Sequence, residues 1–369
     1  SKLVGVTTNE QPSGGISVAV GGEFLVFEGI RREVAVVSDT IDGLPSAEVQ
    51  FADTRSPLEL NSGKLAGLVK ARDDIAGNFH DTLGEFTGTL IYEFNKLYSQ
   101  GQGLTGFKSL TSQNGVSDPN APLDAAGLPF TPTDGSFKII VRDKNSGVSE
   151  QTEIKIELGG VDGDTTLNDL AAQLNAVDGI SASVGSDGRL TISADGAGTD
   201  FSFQMDDKEA TSGEIDANQA NESGILAALG LNTFFTGDSA LNIAVNQTLS
   251  GISGASYFAA SRSGIGNDLN NALELERFFD RPLNALEGAT LASRYDQLAN
   301  ELTQGSTVAG SVLEGYQAFE ATLDGEFQAI SGVNLDEEAI NMITLQRIYQ
   351  ASARLVRTIS EMLDVLVNL

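Results

Sequence analysis

From Val333 to Leu369 the chain contains neither Gly nor Pro, and its apolar residues repeat every seven positions. Met342, Tyr349, Val356 and Leu363 form one line, Leu345, Ser352, Ile359 and Leu366 a second, and Ile348, Leu355, Met362 and Leu369 a third. A seven-residue repeat is a helical period, so it excludes a strand and predicts one uninterrupted helix. Asn334 stands as its N-cap with Glu337 at the third helical position. Asp336, Glu337 and Glu338 suit the positive end of the helix dipole. Thirty-odd residues at 1.5 Å make a rod of roughly 50 Å. Three adjacent apolar lines are wider than a two-helix seam requires. A helix buried inside its own chain is the plainer explanation. The functional one is a terminal helix that packs against neighbouring subunits, because large apolar bands mark assembly surfaces. That reading nominates Met342, Leu345, Ile348, Tyr349, Leu355, Val356, Ile359, Met362, Leu363 and Leu366 as an assembly interface.

The preceding segment carries a narrower stripe. Leu291, Tyr295, Leu298, Leu302, Gly305, Ala309, Val312, Tyr316, Phe319, Leu323, Glu326 and Ile330 follow strict 4-3 steps, and ten of these twelve are apolar residues other than Gly. This is the pattern of a coiled-coil seam. Gly305, Gly310, Gly315 and Gly325 each weaken an isolated helix by ~1 kcal/mol, so the seam needs a partner. Residues 64–98 supply a matching stripe through Leu65, Leu68, Ile75, Phe79, Leu83, Phe86, Leu90, Phe94 and Leu97, with Arg72 its one polar break. The two are expected to pack antiparallel as a stalk.

The rest of the chain reads mainly as strands. Ile16, Val18 and Val20 alternate up to Gly21-Gly22, and a second run follows at Phe24–Phe27, which is a hairpin signal. Residues 33–39 and 47–51 add two more strands. Residues 100–134 hold most of the Pro, Gly, Asn and Asp punctuation and read as a linker, which would couple the flanking parts loosely. From 135 the period returns to two. Phe137, Ile139 and Val141 pair with the 154–158 run across a Lys144–Gly147 turn. A short helix at 165–177 is capped by Thr166 and Asp169, and a second hairpin turns at Ser186-Asp187-Gly188. The expected fold is α+β, multi-domain and elongated, a coiled-coil stalk with β-rich outer domains inserted. Its parts are a β-rich segment at 1–60, a stalk helix at 61–100, the linker at 101–134, an inserted α+β outer domain at 135–255, stalk helices at 266–330 and an axial-core helix at 331–369.

Composition narrows the chemistry. With 22 Lys+Arg against 51 Asp+Glu the chain carries a net charge of −29, which disfavours nucleic acid and anionic membrane surfaces. There is no Cys, no Trp and one His, so thiolate sites and multi-His metal sites are excluded, and any Ser-His-Asp triad must use His80. His80 reads as an ordinary helix-surface residue. GQGLTG at 101–106 spells a dinucleotide fingerprint, but a helix precedes it and a loop follows, the wrong context for holding pyrophosphate. DGDTTLND at 162–169 lacks the Gly and Glu positions of a Ca²⁺ loop and reads as a solvated turn. Neither a Walker loop nor G-x-S-x-G occurs. No apolar run reaches the ~20 residues of a membrane span, and no signal peptide is visible at the start. No enzyme, cofactor or metal is expected. The opening SKLVGVTT lacks an initiator Met and reads as the tail of a helix, so a longer parent protein is expected.

SGVNLDEEAINMITLQRIYQASARLVRTISEMLDVLVNL (331–369) resembles the C-terminal motif of bacterial flagellar axial proteins, and its VNLDEE opening and YQASAR segment are most similar to the hook-associated protein 1 family. SKLVGVTTNEQPSGGISVAVGGEFLV, the stretch from Leu60 to Arg72 and LGLNTFFTGDSALNIAVN (229–246) are similar to further parts of that family, in the same order. The resemblance implies a structural subunit of the hook–filament junction, exported unfolded by the flagellar type III apparatus without a cleaved signal and located outside the cell. It implies partners too: the hook protein, the next junction protein, other copies in a ring, and a cytoplasmic export chaperone at the C-terminal helix. Other classes stay open, namely a hook or distal-rod subunit, an adhesin or sugar-binding module on the β domains, and an enzyme using paired carboxylates.

Overall fold

The computed structural model describes residues 3–12, 14–41, 44–160, 163–204, 223–332 and 335–367. The chain divides into two units, Ser1–Glu301 and Leu302–Leu369.

The first unit opens with a four-stranded antiparallel sheet of β1 (Thr7–Glu10), β2 (Ile16–Val20), β3 (Glu23–Phe27) and β4 (Ile30–Arg31). Gly21 and Gly22 turn β2 into β3 with φ of 59° and 88°, conformations that Gly adopts without steric cost. A separate ribbon pairs β5 (Val34–Ile41) with β6 (Leu44–Phe51) along their whole lengths. Val20, Phe51 and Leu58 form a small core between them. Arg32 closes it by lying 3.7 Å over the Phe51 ring and bonding Glu23 and Asp53. Among the described residues Leu3–Val6 are irregular and Thr7 already pairs with Ala19.

The expected stalk helix exists in three pieces, α1 (Lys64–Lys70), a π-helical segment (Ala71–Gly77) and α2 (Asn78–Ser99). The last turns of α2 bury Phe94, Leu97 and Tyr98 against Ala259, Leu275, Phe278, Leu283 and Leu291. Burial pushes the Tyr98 phenol up to about 12, and its oxygen accepts from Ala259 N at 3.1 Å. Asn232 donates to the Ser99 and Gly101 carbonyls and so caps the C-terminal end of α2.

The main core lies beyond α2. Three strands β7 (Ser109–Thr111), β10 (Ile180–Val184) and β11 (Leu190–Ala194) form one sheet, in the order β10-β11-β7. Another three, β8 (Gly135–Asp143), β9 (Ser149–Ile156) and β12 (Thr199–Gln204), form a second, in the order β12-β8-β9. Helix α3 (Leu167–Asn175) packs beside them, capped by the reciprocal Thr166–Asp169 bonds that the sequence predicts. The β8–β9 hairpin turns where expected, with Phe137 facing Ile154. Ile139 and Val141 face Thr152 and Glu150 rather than apolar residues.

The linker reading of 101–134 is overturned. Phe107, Val116, Leu123 and Ala126 sit inside the core, and β7 completes a sheet. The punctuation breaks any period, but the backbone of this segment is bonded across the domain. Ser112 N donates to Leu190 O, Asn114 N to Leu229 O, Leu123 N to Thr165 O and Thr133 N to Ser223 O. Each pairing removes a polar group from solvent without regular structure. A segment bonded in this way holds its neighbours firmly. The buried helix α4 (Ile225–Leu229) follows, bounded by Gly224 and Gly230. Two single turns, α5 (Gln247–Ser250) and α6 (Gly254–Tyr257), then lead to α7 (Asn270–Arg277) and to α8 (Leu291–Ser331).

Candidate assembly surface

Helix α8 starts within the first unit. Thr290 and Ser293 exchange hydroxyl-to-amide bonds of 3.1 and 3.0 Å, a reciprocal cap. Leu291 and Leu298 are buried, and Tyr295 meets the Phe86 ring of α2 at 6.2 Å.

From Leu302 onward the described seam residues are exposed. Leu302, Val312, Tyr316, Phe319, Leu323 and Ile330 are all exposed, and so are the flanking Val308, Leu313 and Phe327.

Helix α9 (Leu335–Val367) runs without a break. The nominated cap Asn334 lies outside the described residues, as does Leu369 of the third apolar line. Asp336, Glu337 and Glu338 occupy the first turn. All ten nominated residues fall on this helix, and all ten are exposed. At ~100° per residue they cover roughly 160° of its circumference, with Arg347, Arg354 and Glu361 on the opposite side. Five hydroxyls in the two helices turn inward onto their own backbone. Thr307, Ser311, Thr322, Thr344 and Thr358 each donate to the carbonyl four residues earlier. A hydroxyl already bonded can enter a dry interface without the desolvation penalty of a free one. Fully burying the ten nominated side chains is worth roughly 15–30 kcal/mol gross, before ordering costs.

Other sequence candidates are occupied structurally. His80 stands 3.5 Å from Asp81 on α2. In the acidic 162–169 stretch, Asp164 accepts from Gly160 N and Asp169 caps α3. Among the described residues no group of three or more His, Asp or Glu is placed to hold a metal ion, and no helix is long and apolar enough to cross a membrane. The structure adds a surface that the sequence reading missed: Ile16, Phe24, Phe27, Ile30, Val34, Val36 and Val37 are exposed on the N-terminal strands. The signal was the unalternating run VAVV, which leaves apolar residues on both faces of a two-stranded ribbon.

Three family models match separate parts of the chain. Residues 1–111 match the flagellar hook-associated protein FlgK helical domain, residues 147–196 the flagellin hook IN motif, and residues 325–369 the flagellar basal body rod FlgEFG protein C-terminal region. The flagellar hook-associated protein 1 of Salmonella typhimurium is 23% identical over 382 residues, and that of Escherichia coli is 22% identical over 398. Each alignment covers 100% of this chain, which spans 62% of the length of either relative. The flagellar hook junction protein FlgK from Burkholderia pseudomallei aligns with a TM-score of 0.39 at 15% identity, over 90% of this chain and 76% of that one.

Proposed function

We propose, from the match of residues 1–111 to the FlgK helical domain and the 23% identity to the Salmonella relative, that this chain is a member of the flagellar hook-associated protein 1 family and a structural subunit of the junction between hook and filament. The observation that carries the proposal is the ten-residue apolar band of α9, exposed along a helix whose sequence matches the C-terminal region of flagellar rod proteins. An exposed band of that width has a strong drive to be covered. In this reading, neighbouring subunits cover it in the assembled axis. The partners are the hook protein below, the next hook-associated protein above, and further copies of this chain in a ring. Before export, a cytoplasmic chaperone shields the same band. The protein acts outside the cell and performs no chemistry.

Immunogold labelling of native flagella tests the assignment. Label confined to the distal boundary of the hook is the expected result. Label along the whole hook, or below it, would place the chain among hook or rod subunits instead.

A further inference from the structure

The π-helical segment Ala71–Gly77 is the one place where the long helix abandons its α geometry. Such segments are rare, arise as one-residue register insertions, and concentrate at functional sites. Its position explains the polar break in the apolar stripe. Counted back from Phe79 at ~100° per residue, a continuous α-helix would place Ile75, Arg72, Leu68 and Leu65 within roughly 40° of the Phe79 line. Arg72 would then stand in the middle of an apolar face. The π segment winds less per residue, so everything upstream is turned off that line. Leu68 and Ile75 are left 59% and 45% exposed. Arg72 instead reaches the β5–β6 ribbon, where its Nη1 donates to Ala47 O at 2.5 Å, while Asp73 accepts from its Nε and Nη2.

We propose that this segment is a register switch, with Arg72 as its latch. While Arg72 holds the Ala47 carbonyl, the seven residues keep the π register. On release they relax to the α register, which adds one residue's rotation to everything upstream. Leu65, Leu68 and Ile75 then rejoin the Phe79 stripe, and the N-terminal strands turn with α1. The two registers present different surfaces, so an apolar neighbour that covers the realigned stripe selects the α register by differential binding. The device is a property of the single chain and does not depend on where that chain is assembled.

The chain has no Cys, so spin labels at Asp39→Cys and Glu85→Cys, on the ribbon and on α2, are unique. Distances are measured by pulsed dipolar spectroscopy on the full chain, diluted with unlabelled protein. The parent should give one dominant distance. Arg72→Leu removes the latch and makes the stripe continuous, and should produce a second, discrete distance. Deleting Ala76 provides the control. One residue fewer lets the helix be α throughout while its upstream part keeps the parent orientation, so in that background Arg72→Leu should leave the distance unshifted. An unchanged distance in Arg72→Leu would overturn the proposal. So would a shift that persists in the deletion background, which means a detached ribbon, or a broad distribution without a second peak, which means local melting.

Discussion

Replacing Leu355 and Leu363 together by Asp separates assembly from folding. Both side chains are largely outside any core of this chain, 63% and 54% exposed. The surface they still have to bury is therefore half to two-thirds of a full Leu, and the pair contributes ~2–4 kcal/mol per subunit on contact with a partner. The Asp carboxylates forfeit that gain and add the cost of desolvating two charges in an apolar interface, several kcal/mol more. A total above ~4 kcal/mol corresponds to at least a thousandfold weaker association. Neither substitution touches a buried residue, so thermal unfolding of the first unit should be unchanged. In a strain lacking its own copy, the assembled pool of the variant should vanish and filaments should fail to grow. Cytoplasmic and exported pools are quantified separately, because a chaperone using the same band would lose contact too. Normal incorporation and swimming by the double variant would refute the reasoning, since the band would then have no partner in the flagellum.

Other outcomes follow from the first unit. The Asp200 side chain is fully buried and bonded to Arg142 at 2.7 Å and Lys144 at 3.3 Å. Asp200→Ala should cost ~3 kcal/mol in denaturant unfolding, the low end for a broken buried pair because both cations are partly solvated. Burial pushes the Asp200 and Asp268 carboxyls up, but Arg142 and Lys144 at Asp200, and Ser263 with three backbone amides at Asp268, hold both below the usual carboxylate value. Their stabilisation is therefore complete above the unfolded value of about 4 and is lost as pH falls through the lower folded values. Melting temperature should drop in acid, and less steeply in Asp200→Asn. Thr166→Ala removes the reciprocal cap of α3 and should cost ~1 kcal/mol by the same unfolding assay. Gly188 has φ of 73°, and an added Cβ would lie 2.0 Å from Val116 O. Gly188→Ala should therefore destabilise the hairpin by more than ~1 kcal/mol, whereas Gly147→Ala, at a similar φ of 72° with open space around it, should cost less.

Local chemistry determined much of this protein from sequence alone. The helices at the C-terminus, the Gly21-Gly22 and Ser186–Gly188 turns, and the Thr166 cap are set by periodicity, by positive φ and by side-chain hydrogen bonding, all of which act within a few residues. That the ten nominated residues share one exposed face of α9 was legible for the same reason, because a helix of known pitch sorts its own faces. What periodicity could not decide was who covers a face. The seam of α8 has the pattern of a coiled coil, yet its positions past Leu298 lie open, because pattern records a capacity to pack and not the presence of a partner. The 101–134 segment failed in the opposite direction. Its backbone bonds reach residues up to 159 positions away, as in Gln102 to Ser261, and no window of sequence carries that information. The π segment combines both cases: the sequence marked Arg72 as a defect in a stripe, and only the ribbon carbonyl at Ala47, brought near by tertiary folding, made the shifted register the one observed.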